Sequence, residues 1–180
     1  MDKISYCNDL MARMEELFFH ELSDCCGWKT EFIGIDFIQA RNIEGNSREE
    51  IIENCIREIT RAGLAEAGAY AIAGKDILLC LRVKGCIHLD KEARLKERGI
   101  KVYNCIIANM INDQLIEKLD YETAYIANID VNEKEGLCEL KIAVYETAEK
   151  VGCVSDWTEE YRRIEENDEW ITIQADPVRR

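Results

Sequence analysis

Three cysteines and a histidine have types and spacings that can do chemistry. Cys86 and His88 stand two apart, Cys105 follows Asn104, and Cys138 lies between Leu137 and Glu139. Thiols and imidazole bind metal ions, and a thiolate attacks electrophiles. If Cys86 and His88 are extended, at the end of a strand, both side chains leave it on the same face. They can then grip one ion or flank one substrate atom. Cys105 reads as the first position of a helix capped by Asn104, where unpaired backbone N–H groups and the helix dipole lower a thiol pKa. Cys138 falls in a hairpin strand.

Two chemistries suit this set. Cys86, His88, Cys105 and Cys138 together would close a tetrahedral zinc site, or hold an iron–sulfur cluster. Alternatively, Cys105 or Cys86 is a thiolate nucleophile and His88 carries its proton. The spacing matches no zinc finger, and no Cys-x-x-Cys occurs. A glycine-rich phosphate loop, a GxSxG elbow, an HExxH motif and a dinucleotide fingerprint are also absent from the sequence.

Cysteine also serves as a small core residue. Cys55 and Cys80 lie in apolar stripes and read as core, while Cys7, Cys25, Cys26 and Cys153 fall near ends and turns. His20 reads as a boundary residue at the end of an apolar helix face. The nine cysteines are an odd number, so they cannot all pair within the chain. This usage suits free thiols, metal ligands or nucleophiles in a cytoplasmic setting with little oxygen.

The positioning elements follow from periodicity. Apolar residues at helical spacing (Leu10, Met11, Met14, Leu17, Phe18, Leu22) predict a first helix from Ser5 to about Cys25, stopped by Gly27. "KTEFIGIDFIQA" alternates and predicts a strand. Ser47 and Glu50 suggest a capping box, opening a helix whose buried stripe is Ile51, Ile52, Cys55, Ile56 and Ile59, with Gly63 at its end. A hairpin around Ala73–Asp76 follows, then a short helix from Asp90 to Arg98, extended "IKVY", a helix to about Leu119, and a second hairpin turning at Asn132–Gly136. "DWTEEYRRIEENDEW" predicts a polar helix, and "ITIQADPVRR" a strand or a loose end.

This order, α-β-α-β-β-α-α-β-β plus a tail, is an α+β fold, with an antiparallel sheet built from hairpins and helices on one face. Residues 1–150 read as one ligand-binding domain, with 151–180 as an acidic helix and tail docked on it through Trp157, Tyr161 and Trp170. The formal charge is −13 from 36 acidic and 23 basic side chains, which repels phosphate backbones and anionic membranes. No apolar run is long enough to cross a bilayer, and the charged N-terminus is not a targeting peptide. The expectation is a cytoplasmic protein with no nucleic-acid or membrane partner, binding a small molecule. The acidic tail offers a further site for a basic protein or a second copy, as a homodimer.

The runs "GCIHLDKEARLKERGIKVYNC" and "EGLCELKIAVYE" resemble the C-terminal half of the 4-vinyl reductase domain superfamily. They resemble relatives of the L-2-amino-thiazoline-4-carboxylic acid hydrolases more closely still. The likeness covers residues 84–146 and rests on Cys86, His88, Gly99, Cys105 and Cys138. It implies an α+β fold with a ligand cavity between sheet and helices. It also implies either a small-molecule sensor, in some members with zinc near the pocket, or a hydrolase that opens a cyclic C–N or C–S compound. The DNA-binding and ATPase modules of the sensors are not in this sequence, which argues against a stand-alone transcription factor.

Overall fold

The computed structural model describes residues 2–23, 30–73, 77–152 and 158–174. The elements are α1 (Lys3–Leu22), α2 (Ile35–Gln39), α3 (Arg48–Arg61), β1 (Ala67–Ala73), β2 (Ile77–Lys84), α4 (Leu89–Glu97), α5 (Ile106–Leu119), β3 (Thr123–Asn132), β4 (Leu137–Tyr145), a 3-10 turn (Ala148–Gly152), α6 (Thr158–Asn167) and β5 (Ile171–Gln174). The fold is α+β, as the element pattern predicts. Five strands form one antiparallel sheet in the order β3-β4-β2-β1-β5.

The larger core lies between one sheet face and the helices. Tyr70, Leu79, Leu81, Val83, Cys138, Leu140, Ile142 and Val144 meet Ile51, Ile52, Cys55, Ile56 and Ile59 of α3 and the buried side of α5. Each fully buried Ile or Leu contributes about 1.5–3 kcal/mol of transfer free energy. The α3 stripe is as the sequence predicts. Ser47 Oγ accepts from Glu50 N at 3.2 Å, and the Glu50 carboxylate reaches back to Asn46 N at 2.8 Å. Cys55 and Cys80 are core residues with 0% exposure.

The helices are not confined to one face. Ala71, Ala73, Leu78 and Cys80 on the opposite face are covered by Ile164 of α6, with Tyr161 and Trp170 alongside. The Arg82 guanidinium, 3.9 Å from the Trp170 ring, also bonds Glu165 at 2.8 Å. β5 pairs with β1, placing Ile173 opposite Gly68. Ile171–Gln174 of the tail is therefore part of the sheet. Trp157, Cys25, Cys26, Cys153 and the Gly74–Asp76 turn lie outside the described residues.

Two predicted elements differ. "KTEFIGIDFIQA" is no strand from Thr30 onward: Glu31–Gly34 form a turn and Ile35–Gln39 a helix. Gly34 has φ 92°, and a Cβ there would come within 2.7 Å of Ile106 Cγ2, so the chain turns where α5 presses against it. The Asn109 amide binds this turn, donating to the carbonyls of Thr30 and Ile33 at 3.0 and 3.2 Å. The second difference is in α1, where half of the predicted apolar stripe faces outward and Met11, Phe18 and Leu22 are only half-buried. Its buried residues are Asn8, Ala12 and Glu15, whereas Leu10, Met14 and Leu17 are exposed. The polar face is inside because it has partners there. Asn8 Nδ2 donates to Ile87 O at 2.7 Å and Glu15 pairs with Lys91 at 2.8 Å. At the rim of this contact Arg94 bonds Asp9 and Ser5, and Arg98 bonds Glu16.

Candidate functional site

The segment carrying Cys86 and His88 is a turn, not a strand end. β2 stops at Lys84, and Gly85 turns the chain at φ 62° while its N–H bonds Gly136 O at 2.8 Å. The Glu66 side chain fills the space a Cβ at Gly85 would occupy, with Cγ only 2.4 Å away. Cys86 then sits at the entrance to α4, and its Sγ accepts the His88 N–H at 3.4 Å. His88 is the N-cap of α4 and Cys105 the N-cap of α5, so Asn104 is freed for another task.

That task belongs to a buried charged centre. Lys91 of α4 has no exposed side-chain surface. Its Nζ lies 2.8 Å from Glu15 Oε1, 3.1 Å from Glu92 Oε1 and 3.1 Å from Asn104 O. Asn104 also reaches Glu15 with its Nδ2 at 3.5 Å and accepts from Asn109 Nδ2 at 2.9 Å. Tyr103 donates to Glu15 O at 2.8 Å. One oxygen of each carboxylate, Glu15 Oε2 and Glu92 Oε2, is buried and bonded to nothing, as is Nδ1 of half-buried His88. Buried polar atoms are ordinarily paired, so three orphans around one ammonium mark an unusual place.

The electrostatics of this centre follow from burial. Desolvation raises the Glu92 carboxyl to about 7, with Lys91 pulling down and Glu15 pushing up. Burial alone would lower the Lys91 pKa, but Glu92 and Glu15 outweigh it and hold the ammonium charged. Desolvation and then the Lys91 charge depress His88 to about 4, leaving it neutral at pH 7.

Cys86, Cys105 and Cys138 border the centre, each feeling the charge of Glu92. Cys138 faces them because β4 register sets it opposite Val83 and Val131 on the helix-covered side. All three thiols are buried. The lowered Cys105 pKa expected from its helix N-terminus is reversed. The Ala108 N–H does pull it down, but desolvation, Glu92 and Cys86 raise it well above the usual thiol value. Burial likewise pushes Cys86 up to about 11 and Cys138 to about 12.

The three predicted thiols thus share one neighbourhood with His88 at its edge. Among the described residues, however, no three His, Cys, Asp or Glu side chains stand as a metal-holding group. The donor types are those of zinc or iron–sulfur sites. Lys91, Glu92 and Glu15 were missed in the sequence, and Asn104 was read only as a helix cap, because charged helix residues ordinarily face water. The available signal was Lys91 four residues before Leu95, and Glu15 in register with Asn8 and Ala12.

A cavity of about 350 Å³ opens one helical turn from Cys105. Its lining includes Phe32, Ile35, Asn109, Asn112, Asp113 and Glu122. Burial raises the Asp113 carboxyl, and Asn112 Oδ1 is buried and unbonded. Asn109 belongs both to this wall and, through Asn104, to the charged centre. No helix among the described residues is long and apolar enough to cross a membrane. No protein-family model, no curated protein and no solved structure matches the chain.

Proposed function

We propose that the protein handles a small molecule at the centre around Lys91, using hydrolase-like thiol chemistry at Cys105. The observation that carries this reading is the set of unbonded buried atoms, Glu15 Oε2, Glu92 Oε2 and His88 Nδ1, gathered about a fully buried ammonium. Strongly perturbed titratable groups clustered with polar orphans are what reaction sites require. A thiol held protonated needs a base that takes its proton as it attacks, and a base is most effective when its pKa is near the working pH. Glu92, raised to about 7 and close enough for its charge to act on Cys105, is the group we assign to this role. The Cys105 sulfur bonds to an electrophilic carbon while its proton passes to Glu92. Glu92 then returns the proton to the nitrogen or sulfur that leaves as the C–N or C–S bond breaks. Water releases the acyl group and restores the thiol. The resemblance to the thiazoline hydrolase relatives supports a cyclic C–N or C–S substrate.

Alkylation of folded protein with iodoacetamide, mapped by peptide mass, tests this. Cys105 should be modified with a rate that rises through neutral pH, and Glu92→Gln should move that rise to higher pH. Cys105 remaining unmodified across the neutral range, while exposed Cys7 reacts, would overturn it.

A second reading is favoured by one observation: Cys86 raises the pKa values of both Cys105 and Cys138. A soft cation would relieve that mutual repulsion, so zinc or an iron–sulfur cluster is the alternative, after the side chains turn toward one point. Stoichiometric metal in protein purified without oxygen, lost on replacing Cys86, Cys105 or Cys138, would select it.

A further inference from the structure

The outward face of α1 has no partner among the described residues. Five of the eight large apolar side chains exposed among the described residues lie on this helix: Ile4 at 55%, Tyr6 at 58%, Leu10 and Met14 at 49%, and Leu17 at 57%. Exposed apolar residues concentrated on one helix mark an interaction surface. The inner face is fixed by Glu15–Lys91 and Asp9–Arg94, so the helix presents its outer face rigidly.

The spacing identifies the kind of surface. Lys3, Cys7, Leu10, Met14, Leu17 and Glu21 are all exposed and alternate in steps of four and three, the seam of a two-helix coiled coil. The seam is also symmetric in sequence about Ala12. Each position has an equidistant counterpart: Leu10 with Met14, Cys7 with Leu17, and Lys3 with Glu21.

We propose that α1 is the interface of a homodimer, two copies of the helix packing antiparallel about a two-fold axis at the level of Ala12. Leu10 then packs on Met14 of the second copy, and Cys7 on Leu17. Lys3 meets Glu21 at both ends of the seam. One patch supplies both halves of a closed interface, as two-fold symmetry demands. A parallel pair would set Lys3 against Lys3 and Glu21 against Glu21, so the charges select the antiparallel arrangement. A 20-residue helix gives a seam about 30 Å long. A lipid surface is the poorer occupant, because the chain carries a charge of −13 and the polar side of α1 is already engaged.

Sedimentation over a range of concentrations tests the dimer, and Leu17→Cys tests its direction. The wild type should dimerise, while Leu10→Glu and Met14→Glu should yield folded monomers with unchanged circular dichroism, since both positions are exposed in the single chain, and should lose the concentration dependence of the wild-type melting temperature. In mildly oxidised Leu17→Cys, the mapped disulfide should join native Cys7 to position 17 of the other copy. A wild type that is monomeric throughout, a dimer indifferent to Leu10→Glu, or a crosslink from position 17 to position 17 would each overturn the proposal.

Discussion

Lys91 Nζ and Glu15 Oε1 meet at 2.8 Å across 76 residues of chain, with both side chains almost wholly removed from solvent. This pair explains why α1 lies with its polar face inward. A charge taken out of water must find a partner, whereas an exposed Leu costs much less, so the ion pair and the Asn8 bond decide which side of the helix is buried. Because Glu92 shares the same ammonium, the centre carries one positive and two negative groups, and one carboxyl is driven toward its neutral form.

Replacing Lys91 by Met should therefore cost about 3–5 kcal/mol, the usual penalty for stranding a buried charge. The variant K91M combined with Glu15→Gln should recover a large part of that loss, because the stranded carboxylate is then gone. Denaturant unfolding of the two single variants and the double variant measures the coupling. Additive effects would mean that the two groups do not share one buried environment.

Glu92 and His88 pull stability in opposite directions with pH. The Glu92 pKa is raised from 4.5 to about 7, so its contribution is complete below 4.5 and is lost as pH rises through 7. The His88 pKa is lowered from 6.5 to about 4, so its contribution is complete above 6.5 and is lost as pH falls through 4. Each spans about 3 kcal/mol by the usual 1.36 kcal/mol per pKa unit. Between 4.5 and 6.5 the two slopes largely cancel in the wild type. Relative to wild type, Glu92→Gln should gain stability as pH rises through this window and beyond it to 7. His88→Gln should lose stability relative to wild type between 4 and 6.5. Urea midpoints across that range check both, and parallel curves for all three proteins would count against the assigned burial.

What the sequence made legible was the apolar periodicity. The α3 stripe, the β1–β2 and β3–β4 hairpins and the core positions of Cys55 and Cys80 all follow from residues whose burial is decided by hydrophobicity alone. Polar burial escaped. Asn8, Glu15, Lys91 and Glu92 are buried through partners that are distant in sequence, and no local pattern announces a partner 76 residues away. The same blindness explains the "KTEFIGIDFIQA" segment, whose alternation gave way to a turn bound by Asn109. At the site, the gathering of Cys86, Cys105 and Cys138 was legible as residues at element ends. Their protonation was not, because it depends on Glu92 and burial rather than on the helix start.

Gly85 holds the turn that delivers Cys86. At φ 62°, Gly85→Ala should cost about 1–2 kcal/mol from the left-handed backbone alone. The Glu66 side chain must also move aside. Adding Glu66→Ala should relieve that second part only, leaving the backbone cost in place. Thermal melts of G85A, E66A and the double variant separate the two, and full restoration in the double variant would show that the backbone is not strained.

Two asparagines on α5 line the same cavity, yet their replacement should have opposite results. Asn109 donates to Thr30 O, Ile33 O and Asn104 Oδ1, so Asn109→Ala takes a donor from Ile33 O and Asn104 Oδ1, while Thr30 O keeps the Ile33 N–H, and should cost about 1–3 kcal/mol. It should also loosen Asn104 from Glu15 and so shift the pH dependence of Cys105 alkylation. Asn112 leaves its Oδ1 buried and unbonded, so Asn112→Ala removes an unmet acceptor and improves helix propensity by about 0.5 kcal/mol. Stability should be unchanged or slightly higher, and the Cys105 profile should stay where it is. Measuring both variants by urea unfolding and by alkylation against pH decides whether the cavity wall and the charged centre are joined through Asn109. Equal behaviour of the two variants would mean that the Asn109–Asn104 bond carries no influence between them.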